Sequence, residues 1–260
     1  MHKRVSAPTK PTGVHIDIDH GFLHSVETGG AVDGPGMRFV FFMAGCQFRC
    51  LYCHNPDTWK LHNGRRVDVD DMLREVRPYA GFLKFAGGVT FSGGEPMMQA
   101  GFIGNVMGHI KKEMGLHIAL DTQGYLHTGV EDEWFDNVDL VMLDIKHIDP
   151  EKYHAITAQH LQPTLDFAER LKRLKQRMWM RYVLVPGLTD DADDVNRMAD
   201  YVASLGDIVE RVEVLPFHQM GIAKWDAMGK EYTLRDTPTP TTDETEAARD
   251  IFRARGLYTV

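Results

Sequence analysis

The sequence predicts a wound α/β fold, and three of its features do so. Six short apolar runs, at 39–43, 88–91, 117–120, 140–143, 179–185 and 212–215, are nearly continuous and often β-branched, as strands of a parallel sheet covered on both faces are. Between them lie segments with helical spacing of apolar residues. The runs begin at intervals that approach, in several units, the ~30 residues of a strand–helix–strand element. The first interval is longer and leaves room for a loop. At 69–76 the pattern is helical, with Asp68, Asp70 and Asp71 where a helix N-terminus favours negative charge. At 97–114 it is less regular, because Gly101, Gly104 and Gly108 each cost about 1 kcal/mol in a helix interior. At 165–177 Leu165, Ala168, Leu171 and Leu174 share one face, and basic residues gather at the end. The segment 190–205 opens with Asp190, Asp191, Asp193 and Asp194 and stops at Gly206, and 241–255 stops at Gly256. Periodicity does not say whether the sheet closes. In an open sheet or a barrel alike, functional groups belong at the carboxyl ends of the strands.

A chain of 260 residues can bury about three quarters of its unfolded surface in one large domain without disulfide staples. Residues 1–13, carrying Lys3, Arg4, Lys10 and two prolines, read as a flexible arm, and 14–260 as a single domain. The arm has charges with no apolar stretch behind them, so no signal peptide is expected. No run approaches the ~18 consecutive apolar residues of a membrane span. The net charge is −8, and three of the 29 basic residues fall in the arm, so the body lacks the basic stripe of a nucleic-acid binder. The expectation is a cytoplasmic monomer without a nucleic-acid or membrane partner.

The three cysteines, Cys46, Cys50 and Cys53, stand within eight residues of one another and nowhere else. An odd number so tightly spaced makes a poor disulfide framework and a good metal loop. A closed zinc site wants four ligands. His54 is the nearby candidate, but adjacent residues such as Cys53 and His54 point in divergent directions. An iron–sulfur cube takes four thiolates, and three would leave one iron without a protein ligand. A site short of one ligand is the mark of catalysis more than of structure. The predicted strand ends are polar as well. They carry Ser92-Gly93-Gly94-Glu95-Pro96, Asp121-Thr122-Gln123-Gly124, Asp144-Ile145-Lys146, Arg181 with Pro186-Gly187, and Pro216-Phe217-His218.

The Cys46-x3-Cys50-x2-Cys53 loop, with Tyr52 before its last cysteine, resembles the signature of the radical S-adenosylmethionine superfamily. Its surroundings narrow the likeness to the pyruvate formate-lyase activating enzymes. Val32-Asp-Gly-Pro-Gly-Met-Arg38 and Cys50-Leu-Tyr-Cys-His-Asn-Pro-Asp-Thr-Trp59 are similar to that family, as are Gly88-Val-Thr-Phe-Ser-Gly-Gly-Glu-Pro96 and Asp139-Leu-Val-Met-Leu-Asp-Ile-Lys146. Arg181-Tyr-Val-Leu-Val-Pro-Gly187, Leu215-Pro-Phe-His218 and Lys224-Trp-Asp-Ala-Met-Gly229 follow in order, so the likeness runs from about residue 20 to 258.

The resemblance implies a partial (β/α)6 barrel and a set of roles. Cys46, Cys50 and Cys53 would hold a [4Fe-4S] cluster whose open iron is chelated by the amino and carboxylate groups of S-adenosylmethionine. Gly93 and Gly94 would form the cofactor loop with Glu95, their missing side chains letting backbone approach the methionine part. Tyr52, Cys53, His54 and Ile145 are implied cofactor neighbours. Asp144 and Lys146, two apart on one strand face, fall near the ribose and carboxylate region, although a surface ion pair would explain them too. Arg181 would grip the cofactor carboxylate in bidentate fashion, and His218 would contact the adenosine. Asp121, Thr122, the carbonyl of Met142 and Asp144 match a monovalent-cation site, for which oxygen ligands suit a hard cation. Asp33 and His54 would face the protein substrate, with loop capping beside Gly34-Pro35-Gly36 as the plainer role of Asp33.

The implied activity is installation of a radical on a glycine of pyruvate formate-lyase. One electron from the cluster splits the sulfonium into methionine and a 5′-deoxyadenosyl radical, which abstracts the glycine hydrogen. A flavodoxin or ferredoxin is the implied electron donor. The sequence departs from relatives that carry a cysteine-rich insert, and Gln123 stands where asparagine or serine is frequent. Two other classes stay open. One is another radical enzyme, such as the activator of anaerobic ribonucleotide reductase. The other is a non-enzymatic zinc-binding module.

Overall fold

A computed structural model describes residues 17–260, so the expected arm at 1–13 lies outside the described residues. In chain order the elements are β1 (His20–Gly30), β2 (Met37–Met43), β3 (Arg65–Asp68), α1 (Val69–Val76), α2 (Ala80–Ala86), β4 (Gly87–Gly93), α3 (Ala100–Met114) and β5 (Ile118–Thr122). They continue with β6 (Leu140–Asp144), α4 (Pro150–Thr157), α5 (Gln162–Leu174), β7 (Met178–Leu184), α6 (Ala192–Ser204), β8 (Val209–Pro216), α7 (Ile222–Ala227) and α8 (Thr242–Arg253). One sheet holds all eight strands in the order β3-β1-β2-β4-β5-β6-β7-β8. The run from β2 to β8 is parallel throughout, and β1 and β3 extend it antiparallel.

All six expected strands form, and the expected helices fall within a few residues of their forecast ends. Helix α1 begins on a capping box, in which Asp68 accepts from the Asp71 N–H and Asp71 from the Asp68 N–H. The glycine-interrupted segment is helical as α3, because Gly104 is a packing site. A Cβ there would meet the Trp134 indole nitrogen at 2.5 Å. Two strands and three helices escaped the sequence reading. The alternation of β1 is largely polar, β3 is four residues long, and α2 leaves Phe82 and Phe85 in solvent, so its apolar residues trace no buried face.

The strands differ from expectation in one respect: their two faces are not alike. Outward residues such as Phe39, Phe41, Val89, Phe91, Leu120, Val141, Leu143, Met180 and Val212 join the main apolar core under the helices. Inward residues make only a small apolar floor of Ala119, Leu140, Met142 and Trp179. Above that floor the inner face carries Ser92, Asp121, Asp144, Arg181 and Glu213. Period-two alternation puts these residues on one face.

That face is concave. Arg181 on β7 donates to the Val32 carbonyl in the β1–β2 loop at 2.9 Å. Three strands separate β7 from β2. In a flat sheet four spacings of ~4.8 Å would hold them about 19 Å apart. The sheet therefore curls into a partial barrel, with β8 left unpaired to β3. Among the described residues no helix is long and apolar enough to cross a membrane.

Arg38 closes the amino end of the barrel interior and is fully buried. It donates to Thr90 Oγ1 at 2.9 Å, to the Pro35 carbonyl at 3.3 Å and to the Val89 carbonyl. Thr90 in turn donates to the Asp33 carbonyl at 2.6 Å, so the pair holds the loop that carries Asp33. Burial lowers the Arg38 pKa to about 10, which leaves it charged at neutral pH. Arg38→Met, which keeps the bulk and removes the donors, should lower stability in urea unfolding by about 1–3 kcal/mol. Arg38→Ala adds a void and should cost about 2 kcal/mol more. Equal unfolding midpoints for wild type and Arg38→Met would show that these hydrogen bonds contribute nothing net.

Candidate active site

A cavity of about 460 Å³ opens at the carboxyl ends of the parallel strands. The loop after β2 delivers Cys46, Cys50 and Cys53 to its wall. Backbone contacts hold that loop. The Gly45 N–H donates to Thr58 O at 2.6 Å, Cys46 N–H to Trp59 O at 3.1 Å, and Arg49 and Leu51 N–H to the end of α4 at 2.9 and 3.0 Å. From α7, the Trp225 indole donates to the Cys53 carbonyl at 2.9 Å and Lys224 Nζ to Asn55 Oδ1 at 2.7 Å. None of these bonds uses a thiol. Burial pushes the Cys50 thiol up to about 12 and the Cys46 and Cys53 thiols up as well, so deprotonation there requires a cation at the site. Among the described residues no three His, Cys, Asp or Glu side chains are gathered as ligands of one metal ion.

The second wall is the end of β4. Gly93 has φ +114°, and a Cβ there would be driven into the backbone of Met43. At Gly94 a Cβ would strike the Gly45 carbonyl and come within 3.2 Å of the Cys46 Cβ. Both positions line the cavity, yet the crowding that demands glycine comes from the protein's own backbone at the neighbouring end of β2. Glu95 corrects the expectation. It is fully buried and absent from the cavity wall. Its carboxylate accepts from Met97 N–H at 2.9 Å, Thr122 Oγ1 at 2.7 Å and Gln123 N–H at 3.1 Å. It is a brace between two strand ends. The Thr122 hydroxyl also accepts from Gly124 N–H at 2.9 Å, so it too faces away from the cavity, and the Met142 side chain lies in the floor. Of the proposed cation ligands, only Asp121 and Asp144 present side chains to the cavity.

On β6 and just beyond it, Asp144 and Lys146 form an ion pair at 2.9 Å, while Ile145 between them is in the apolar core and not on the cavity wall. Burial alone would lower the Lys146 pKa, but Asp144 more than offsets this and raises it. The Lys146 ammonium stands 5.8 Å from the centre of the buried Tyr52 ring. Arg181 lines the cavity, but its fork is not free for the expected bidentate grip. Nε bonds Glu213 at 3.1 Å, Nη1 pairs with Asp121 at 3.3 Å and Nη2 bonds Val32 O. His54 and His218 stack with ring centres 3.9 Å apart, and His54 Nε2 lies 3.1 Å from the His218 carbonyl. Burial, then His218, lowers the His54 pKa to about 4, so it is neutral. Asp33 also reaches the wall, its pKa raised by burial and by Asp121.

The residues fit a polar ligand. Tyr52 Oη, Asp121 Oδ1 and Gln123 Oε1 are buried without a hydrogen-bond partner, and all three residues line this cavity. Each such atom costs about 1–3 kcal/mol if left unmet. Ser92, which donates to Asp121 Oδ2 at 2.7 Å, and Gln123 are among the cavity residues to which the sequence attaches no role. Gln123 could have been found by continuing the alternation from Asp121 one residue past the end of β5.

Glu95 supplies a test. Burial raises its pKa to about 7 against the pull of its three donors. A raised carboxyl pKa contributes stability that is complete below the unfolded value and is lost as pH rises through the folded one. The stability margin of wild type over Glu95→Gln should therefore shrink between about pH 4.5 and 7 and level off above. The amide also sets its own donors against a backbone N–H, which should cost about 1–3 kcal/mol. Urea unfolding across that pH range measures both effects. A margin independent of pH would show that Glu95 stays ionised throughout.

Comparison with known proteins accords with this geometry. A model of the Radical SAM superfamily matches residues 40–202. The pyruvate formate-lyase-activating enzyme of Staphylococcus aureus is 44% identical over 248 residues, covering 92% of this chain and 98% of that one. Two solved structures share the fold. A domain of pyruvate-formate lyase-activating enzyme from Bacteroides vulgatus has TM-score 0.55 at 23% identity, over 67% of this chain and 98% of that one. Streptococcus suis SuiB bound to S-adenosylmethionine has TM-score 0.61 at 13% identity, over 88% of this chain and 50% of that one. A superfamily match over more than half of this chain, a relative of this identity along nearly its whole length and a cavity walled by three clustered cysteines agree. The chain belongs to the radical S-adenosylmethionine superfamily and, within it, to the pyruvate formate-lyase-activating enzymes.

Proposed function

We propose that this protein uses its cavity to activate pyruvate formate-lyase, placing a radical on a glycine of that partner. The observation that supports this most directly is the meeting of three thiols and three unpartnered polar atoms around one cavity at the strand ends. Cys46, Cys50 and Cys53 are the proposed thiolates of a [4Fe-4S] cluster. Bound there, cluster and S-adenosylmethionine supply one-electron cleavage of a carbon–sulfur bond and hence a radical able to remove a hydrogen atom.

The protein's part is to bind, orient and exclude water. The backbone around Gly93 and Gly94 would border the methionine part. Lys146 would meet its carboxylate, held in place by Asp144, and Asp144 would face the ribose. The neutral His54 and the His218 ring stacked on it would border the adenosine. Arg181, committed to Asp121, Glu213 and Val32, acts in this reading as a positioning residue. Asp121 Oδ1, Asp144 and the Met142 carbonyl are the proposed ligands of a monovalent cation. Asp33, carried at the rim by the Arg38–Thr90 brace, and His54 would meet the incoming glycine loop. A flavodoxin or ferredoxin is the proposed electron donor, and the cytoplasm the proposed compartment. The 14–260 segment would act as one catalytic domain.

Cys50→Ala should abolish iron loading and cofactor cleavage together, read by metal analysis, visible absorbance and 5′-deoxyadenosine release after anaerobic reconstitution. Continued release of 5′-deoxyadenosine would remove Cys50 from the cluster. A colourless wild-type protein saturated by one zinc ion would instead support a zinc module. Lys146→Ala should raise the S-adenosylmethionine concentration needed for half-maximal cleavage by about tenfold or more, since a charged hydrogen bond is worth about 1.5–3 kcal/mol. Unchanged half-saturation would place Lys146 outside the binding site.

A further inference from the structure

We propose that Gln123 is a positioning residue for the α-amino group of S-adenosylmethionine, its side-chain carbonyl accepting one of the amine N–H bonds. The inference rests on the reading that S-adenosylmethionine occupies the cavity, and it adds a residue to which neither the motifs nor the comparisons assign a role. Gln123 is 9% exposed and lines the cavity. Its backbone is fully employed by the fold, the N–H donating to Glu95 Oε2 at 3.1 Å and the carbonyl accepting from Thr164 Oγ1 at 2.9 Å. Its side chain is not. Nε2 reaches the Gly94 carbonyl only at 3.5 Å, which is long for a hydrogen bond, and Oε1 has no partner. The contact with Gly94 sets the orientation of the amide, because turning it over would oppose two carbonyl oxygens.

What this corner lacks is a donor. Gln123 Oε1, which has no partner, and Gly94 O are both acceptors. The corner also adjoins the cysteine loop, since Gly94 is packed against Gly45 and Cys46. Of the donor groups on S-adenosylmethionine, the ribose hydroxyls and adenine amine belong in this reading with Asp144 and His218. The α-amino group remains. A primary amine whose lone pair is engaged elsewhere retains two N–H bonds, and two acceptors face it here.

The test measures binding by equilibrium dialysis with the reconstituted holoenzyme, using S-adenosylmethionine and an analogue with hydrogen in place of the α-amino group. Gln123→Met keeps the side-chain length and removes the acceptor. It should weaken S-adenosylmethionine binding about tenfold, the equivalent of about 1.4 kcal/mol, and leave binding of the deaminated analogue at the wild-type level. Gln123→Leu should show the same dependence on the ligand, so that a folding defect of either variant does not decide the matter. Equal losses for both ligands would assign Gln123 a purely structural role, and an unchanged affinity for S-adenosylmethionine would remove it from the site. Either result overturns the proposal while leaving the cofactor reading intact. Failure of the wild-type holoenzyme to bind S-adenosylmethionine would overturn both.

Discussion

A buried arginine has to be matched by negative charge wherever the fold puts it, and the placement of Arg181 shapes the rest of this molecule. Its guanidinium is nearly enclosed and meets Asp121 on β5, Glu213 on β8 and the Val32 carbonyl beyond β1. Taking such a group from water costs several kcal/mol unless its partners are well placed, and removing one partner leaves the other charge uncompensated. Partners drawn from opposite parts of the sheet can meet one side chain only if the sheet is curled. The network that neutralises Arg181 thus also turns an open parallel sheet into a concave wall. Asp144 and Lys146 repeat the arrangement on β6 at smaller scale.

The cysteine loop obeys a different constraint. Its thiols are buried and their pKa values raised, so the protein alone favours them protonated. A cation bound at the loop, as the proposed cluster would be, would favour the thiolate forms. The path of the loop is also held by the protein, its backbone bonded to the α4 end, to the turn at Pro56–Thr58 and to the Trp225 indole of α7. In zinc-finger domains metal binding and folding are one event. Here the protein's own hydrogen bonds also hold the cysteine loop, and a bound cluster would add charge and chemistry to that frame. That division suits a site in which the ion environment has to tolerate a change of oxidation state.

Much of this was legible from residue order. The six parallel strands were visible as apolar runs, and the cysteine spacing announced an incomplete ligand set. What misled was the assumption that parallel strands are apolar on both faces. Leu140, Met142, Asp144 and Lys146 alternate with Val141, Leu143 and Ile145, and period two separates a polar inner face from an apolar outer one. The same alternation explains why Ile145 and Thr122 leave the site to which motif proximity assigned them. The antiparallel extension by β1 and β3 stayed hidden because β1 is largely polar and β3 is only four residues long. The commitment of Arg181 to its own protein was hidden for another reason. Its partners lie 60 and 32 residues away in sequence, and only the register of the sheet brings them together.

Adjacent residues at each strand end therefore serve different physical ends, and contiguous motifs conceal this. In Asp121-Thr122-Gln123 the outer residues face the cavity with unmet acceptors, while the middle one is locked to Glu95 and Gly124. Glu95 belongs with Thr122 on the structural side: its charge is buried to join two strand ends, and its three donors all come from the protein. Gly94 lies on both sides at once, since its lack of a side chain relieves crowding against Gly45 while its carbonyl borders the cavity corner beside Gln123. The glycine–glycine–glutamate sequence is thus not a uniform ligand-binding strip. It is a brace that fixes the height of a backbone edge, and the polar atoms left unsatisfied along that edge define what the cavity can hold.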